Sequence, residues 1–313
     1  MTHRLRWADL PLPVRSRVEA RLGAPILETR SATGGFSSSS AEIVTTAGGH
    51  RAFVKAVTSR INGASEELNR REAATLAALP REVPAPRLLD AFSEEDWFVL
   101  LIEVAEGALP QQPWRPLELD VVLEALDTLA QVATPTPLPE VPDLETLLGP
   151  DLRGFDRVTA DQPPDLDPWL RERLGPLREA AERGVVSLAG DTLCHSDLRA
   201  DNLLVTVDGQ VRIVDWAWAA RGARFADALQ LLASVDDRSG TLEVSARIDA
   251  VMARHGTPTE VATDLLAGIL GFFVDAARLP TDPSLPTLRE HRRATRDQLF
   301  PMVRARWTRE GRD

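Results

Sequence analysis

The chain of 313 residues contains one cysteine, one lysine, three asparagines and no tyrosine. The lone Cys194 excludes a disulfide framework and any zinc site built from several cysteines. Long hydrophobic runs are missing too: the longest, Leu265 to Val274, is about half of what a membrane span needs. The N-terminal segment is charged and interrupted by proline, without the apolar core of a signal peptide. These features predict a soluble, cytoplasmic protein with no membrane partner. Basic charge is in deficit, 36 residues against 47 acidic ones for a net −11, so no nucleic-acid partner is expected, because phosphate contacts need clustered Lys and Arg. With 43% apolar and 27% charged residues the composition is globular, and the length suits one large domain or two ordinary ones.

All but one of the 36 basic residues are arginine; the exception is Lys55. We read this as a GC-rich coding bias that replaces residues with AT-rich codons wherever the chemistry tolerates it. A surviving lysine then marks a place where a compact ammonium on a flexible stem serves and the wide planar fork of arginine does not. Lys55 sits in the alternating run Arg51–Val57, on one face with Phe53 and Val57. A lone ammonium in an apolar strand needs a partner. A helix starting from Ser65 as N-cap and running to Leu79 offers one, since Leu68, Glu72, Leu76 and Leu79 share its apolar stripe. A Lys55–Glu72 ion pair would satisfy both charges, although either could instead snorkel to an edge.

Short β-branched or apolar runs at 26–29, 41–45, 51–57 and 97–104 predict a strand-rich first hundred residues with one helix. A Pro-rich, helix-dominated stretch follows Gly107 to about Gly190, then a strand pair to about Trp216, then amphipathic helices. The boundary falls near Glu103–Gly107.

Asp208-Gly209 between two apolar runs is a two-residue hairpin signal, which places Asn202 directly opposite Asp215 at the open end. Cross-strand neighbours are close enough for one amide oxygen and one carboxylate to share a cation, and hard oxygens joined by substrate phosphates suit Mg²⁺. Asp197 would lie in the loop entering the hairpin, placed to orient an incoming hydroxyl and accept its proton. The same pattern also fits an ordinary hairpin with polar ends. His195 and Asp197 could be read as transition-metal ligands, but the other four histidines are scattered. Thr33-Gly-Gly-Phe-Ser-Ser-Ser-Ser40 supplies glycines and hydroxyls that could cradle phosphate, or a plain hairpin loop.

Taken in order, the Gly-rich loop, strand lysine, helix glutamate, His195-Ser-Asp-Leu-Arg-Ala-Asp-Asn202 and Ile213-Val-Asp215 resemble the aminoglycoside phosphotransferase and choline kinase family. The likeness runs from about Thr33 to Asp227. It implies an α+β, two-lobed protein-kinase-like fold. The expected lobes are a β-rich nucleotide-binding lobe over 1–103 and a larger helical catalytic and substrate-binding lobe over 104–313, with a helical insertion at about 110–190. By the same resemblance Lys55 would grip the α- and β-phosphates with Glu72 orienting it, and Gly34, Gly35 and Ser37 would cover the phosphates. The backbone at Glu103 and Ala105 would bond adenine or guanine. Asp197 would be the catalytic aspartate, Asn202 and Asp215 the metal ligands, His195 a packing residue and Asp227 a brace for the catalytic loop. The chain lacks the lysine after the catalytic aspartate and the Ala-Pro-Glu of protein kinases.

The implied activity is Mg²⁺-dependent transfer of the γ-phosphate of ATP or GTP to a hydroxyl of an aminoglycoside-like antibiotic or related metabolite. The rival is a nucleotide-binding regulatory module that has lost transfer. Residues 140–191 carry 12 acidic against 6 basic residues, which suits a polycationic acceptor as well as a solvated acidic surface.

Overall fold

The computed structural model describes residues 5–32, 40–281 and 287–313. In chain order the first elements are α1 (Leu12–Leu22), β1 (Ile26–Ser31), β2 (Ser40–Thr46), β3 (Arg51–Thr58), α2 (Ser59–Ala78), β4 (Leu88–Glu94) and β5 (Trp97–Ile102). Next come α3 (Pro116–Val132), α4 (Leu144–Leu152), α5 (Gly154–Ala160), α6 (Pro168–Glu172), α7 (Leu174–Val186) and β6 (Thr192–Cys194). The chain ends with β7 (Leu203–Val205), β8 (Val211–Ile213), β9 (Ala220–Gly222), α8 (Ala226–Ser234), α9 (Val244–Arg254), α10 (Thr259–Ala276) and α11 (Leu288–Arg309). They form two compact units: residues 1–110 with 200–219, and residues 111–199 with 220–313.

The first unit is built on a five-stranded antiparallel sheet in the order β1-β2-β3-β5-β4. Alternation in β3 sends Ala52, Val54 and Ala56 to one face, where they pack with Val14 and Val18 of α1, Val99 and Leu101 of β5, and Trp7. Buried Glu42 ties the N-terminal turn to this face, accepting the Trp7 N–H at 2.9 Å and the Ser31 hydroxyl at 2.6 Å. The four runs expected as strands are β1, β2, β3 and β5. The edge strand β4 has no counterpart in the reading, because its pattern Leu-Leu-Asp-Ala-Phe-Ser-Glu alternates poorly around the bulge between Leu88 and Asp90. Helix α1 was also not expected.

Helix α2 begins before Ser65. Thr58 caps it first, and a non-helical Asn62 (φ −160°, ψ 101°) interrupts it. Asn62 then caps the main segment, its Oδ1 accepting the Ser65 N–H at 3.0 Å. The cap therefore sits three residues upstream of the serine expected to provide it, while Glu72 lies in the buried stripe with Asn69, Ala73 and Leu76.

In the second unit the largely apolar helix α10 packs against α7, α5, α4 and α11. Gly184 lets α7 approach it: a Cβ there would lie 2.7 Å from the Asp264 backbone. The two-stranded sheet β6–β9 delivers the chain to His195. No described helix is long and apolar enough to cross a membrane.

Candidate active site

In the first unit, β3 points Lys55 to the face opposite Val54 and Ala56, where α2 presents Glu72. Lys55 Nζ donates to Glu72 Oε2 at 2.6 Å and to Asp215 Oδ1 at 3.1 Å. The side chains of Lys55 and Glu72 are 14% and 3% exposed, whereas Asp215 is 46% exposed. Burial alone would lower the Lys55 pKa, but the charges of Glu72 and Asp215 outweigh it and hold the ammonium above the usual lysine value. Burial makes Glu72 harder to ionise than an ordinary glutamate, and the Lys55 charge opposes that shift.

The hairpin β7–β8 corrects the expected register. Leu203 faces Ile213, Leu204 faces Arg212 and Val205 faces Val211. The Thr206 N–H bonds the Gln210 carbonyl (2.9 Å) and the Gly209 N–H the Thr206 carbonyl (3.0 Å). Gly209 adopts φ 79°. The connection is thus the three-residue type with a left-handed glycine rather than a two-residue turn. Asn202 consequently lies opposite Val214, whose N–H donates to the Asn202 carbonyl at 3.0 Å. Asp215 follows one residue later at φ 67°, a left-handed conformation that Asp tolerates better than most residues. A buried amide and a half-exposed carboxylate thus stand at one end of the hairpin. This donor set fits Mg²⁺, which takes few protein oxygens and completes its shell with water and phosphate.

The segment leaving β5 is pinned at both ends. The Glu103 N–H donates to the Arg87 carbonyl (2.8 Å), and Ala108 exchanges two bonds with Val205 (2.9 and 2.8 Å). Among the described residues, the Glu103 carbonyl and the Ala105 N–H between these pins have no hydrogen-bond partner. Gly34, Gly35 and Ser37 lie outside the described residues.

In the second unit, residues 195–199 form an irregular segment after β6. Asp227, in the first turn of α8, accepts the His195 N–H at 2.7 Å and the Ser196 N–H at 3.0 Å. These bonds hold Ser196 at φ 68°. Burial pushes the Asp227 carboxyl up, and the neighbouring His195 and the two backbone donors oppose that shift. Fully buried His195 accepts the Asp197 N–H on Nδ1 at 3.3 Å, which leaves the ring proton on Nε2. The Asp197 carboxylate is partly exposed and receives Arg199 NH1 at 3.1 Å. This Arg199 partner was not anticipated, since nothing in an i, i+2 loop spacing indicates an ion pair. Trp216 is buried with its indole N–H on the Ile213 carbonyl (2.9 Å), a packing residue.

The model of the phosphotransferase enzyme family matches residues 28–262, three quarters of the chain. The chain belongs to this family. No curated protein sequence matches it. Among solved structures, it is similar to an aminoglycoside phosphotransferase from Alicyclobacillus acidocaldarius (18% identity, 90% of this chain and 93% of that one, TM-score 0.52). A thermostable mutant of aminoglycoside phosphotransferase APH(4)-Ia, solved with ADP and hygromycin B, is 16% identical over 93% of this chain and 98% of its own, with TM-score 0.59. Spectinomycin phosphotransferase APH(9)-Ia, solved with ADP and spectinomycin, is 12% identical over 90% and 97%, with TM-score 0.54. At these identities the likeness is one of fold, which here comprises an antiparallel sheet unit and a helical unit.

For a small-molecule phosphotransferase of this family the side chains supply suitable chemistry. Lys55 is a fixed positive charge, Asn202 and Asp215 are hard oxygen donors, and Asp197 is a carboxylate with access to solvent. Among the described residues no group of three or more His, Cys, Asp or Glu is placed to hold a metal.

Proposed function

We propose that the chain transfers the γ-phosphate of ATP or GTP, with Mg²⁺, to a hydroxyl of an antibiotic of aminoglycoside type or a related metabolite. The observation that carries this reading is the single lysine, partly buried and bridged to both Glu72 and Asp215. Lys55 would neutralise the donor phosphates, with Glu72 fixing its position. Asn202 and Asp215 would hold the metal, which when bound shields phosphate charge. Asp197 would orient the acceptor hydroxyl and take its proton. The acceptor oxygen forms a bond to the γ-phosphorus as the bond to the β-bridging oxygen breaks, releasing ADP or GDP. Such transfer depends mainly on alignment and charge neutralisation.

The acidity of residues 140–191 bears less on the acceptor than composition implies. Asp143, Asp156, Asp161 and Glu182 are paired with Arg221, Arg178, Arg278 and Arg153. The test is therefore nucleoside diphosphate release against a panel of cationic and neutral hydroxylated antibiotics and alcohols, with Asp197→Asn as the blank. Acceptor-dependent release absent from the blank supports the reading. Nucleotide binding without transfer to any acceptor would instead support a regulatory module.

A further inference from the structure

Past the bulge between Leu88 and Asp90, the end of the β4–β5 ladder departs from regular pairing again, at one atom. The last pair is Leu88 with Ile102, so the next rung joins Arg87 to Glu103. A hydrogen-bonded rung of an antiparallel ladder, the type that alternates with unbonded rungs, exchanges two bonds between backbones. Only one is made that way, from the Glu103 N–H to the Arg87 carbonyl at 2.8 Å. The Arg87 N–H goes instead to the Glu103 side chain, Oε2, at 3.2 Å. Arg87 itself is fixed, its guanidinium bonded to the carbonyls of Pro80 (3.2 Å) and Arg81 (2.6 Å). The carboxylate of Glu103 thus does the work of its own carbonyl, and the carbonyl is left for something else.

Two residues on, the Ala105 N–H is likewise without a partner among the described residues, and the chain beyond is held by the Ala108–Val205 bridge. Gly107 permits that bridge at φ 131°, where a Cβ would lie 3.0 Å from the Val205 carbonyl oxygen. The result is a pinned edge offering an acceptor, then a donor. Adenine presents the complement, an N6 amino donor beside the N1 acceptor. Guanine presents the reverse, an O6 acceptor beside an N1–H donor, so acceptor would meet acceptor and donor would meet donor. A mismatched pair of buried polar groups is a strong means of rejection.

We propose that Glu103 is a positioning residue which, by capping the Arg87 N–H, frees its own carbonyl and so makes this edge select adenine over guanine. This rests on the nucleotide-dependent reading above and adds to it a donor preference and the side chain that sets it. With the carboxylate removed, the carbonyl can turn back to the Arg87 N–H, complete the rung and take the acceptor away.

The experiment is calorimetric binding of Mg·ADP and Mg·GDP to the full chain, for wild type, Glu103→Ala and Glu103→Gln, with melting temperatures alongside. Wild type is expected to prefer ADP by at least about tenfold, the scale of one well-made hydrogen bond to the base. Glu103→Ala should weaken ADP by about five- to tenfold and leave GDP unchanged, so that the preference collapses. Glu103→Gln, whose amide oxygen can still accept the Arg87 N–H, should restore both values. In transfer assays the same alanine variant should raise KM for ATP and leave kcat unchanged. A wild-type preference for GDP overturns the proposal, as does an alanine variant with an intact ADP preference; either leaves the phosphotransferase reading standing. If wild type binds neither nucleotide, both fall.

Discussion

Lys55 and Glu72 are 17 residues apart in sequence and 2.6 Å apart in space. The strand that carries the lysine runs directly into the helix that carries the glutamate, and the break at Asn62 redirects the chain between them. Without that break the capping of the second helical segment by Asn62 would be lost, and with it the start from which Glu72 is counted into the buried stripe.

Replacing Lys55 by Met leaves Glu72 buried and uncompensated, which should cost about 3–5 kcal/mol of stability at neutral pH by urea denaturation. The penalty has a defined pH sense. Burial raises the Glu72 pKa above its unfolded value of 4.5. Below that value both states of the variant carry a neutral carboxyl and the penalty is absent. It opens as pH rises from 4.5 and is complete above the raised folded pKa. A wild-type-to-variant gap that is flat with pH would contradict this. Lys55→Arg should keep more stability but lower transfer at least about 100-fold, because in the proposed role a displaced charge would misalign the donor phosphates.

The sequence made the strand of Lys55 and the stripe of Glu72 readable because both follow strict periodicities. The hairpin register lies one residue from the expected one, since Asp-Gly is compatible with both two- and three-residue loops and only the unpaired Val207 distinguishes them. Strand β4 escaped because it lies at a sheet edge, where burial does not enforce alternation. The Glu103–Arg87 exchange was invisible for a different reason. Side-chain replacement of a backbone acceptor depends on the course of the loop before β4, which the local pattern does not encode.

Asp215 to Asn is the sharpest probe of the oxygen pair at the hairpin end. Asn accepts left-handed backbone as readily as Asp does, so the φ of 67° is preserved and only the charge is lost. The side chain is 46% exposed, so stability should change by less than about 1 kcal/mol. Transfer, and the enhancement of ADP binding by Mg²⁺, should nevertheless fall by at least about 100-fold and severalfold respectively. Titrating Mg²⁺ against ADP binding in both proteins checks this; an unchanged Mg²⁺ requirement would remove Asp215 from the metal site.

Asp227 accepts one backbone donor on each of its two carboxylate oxygens, and an amide in the same pose offers an acceptor to only one of them. In Asp227→Asn one of the His195 or Ser196 N–H groups faces the NH₂ group and is left unpaired, at a cost of about 1–3 kcal/mol. Ser196 would then lose one of the bonds that maintain its φ of 68°, and the residue next to it is Asp197. Turnover should fall while nucleotide affinity, which the proposed function assigns to Lys55, Asn202 and Asp215, holds. Equal losses in nucleotide binding and turnover would mean that the substitution acts by general unfolding.

His255 supplies the clearest acid response away from the candidate site. Its Nε2 lies 3.7 Å from Asp127 Oδ1. Burial lowers its pKa below the ordinary 6.5, Asp127 opposes this, and Arg224 and Arg254 add to it. The folded chain is therefore harder to protonate there than the unfolded chain. Between the depressed folded value and 6.5 the unfolded state binds more protons, so stability is full above 6.5 and declines as pH falls through that window. His255→Gln removes the titration while keeping a polar group beside Asp127. Urea midpoints of the two proteins measured at about pH 7.5 and about pH 5.5 isolate the effect, because the carboxylates common to both cancel. Wild type should lose more stability than the variant on acidification. An equal loss would mean that the imidazole titrates as it does in the unfolded chain.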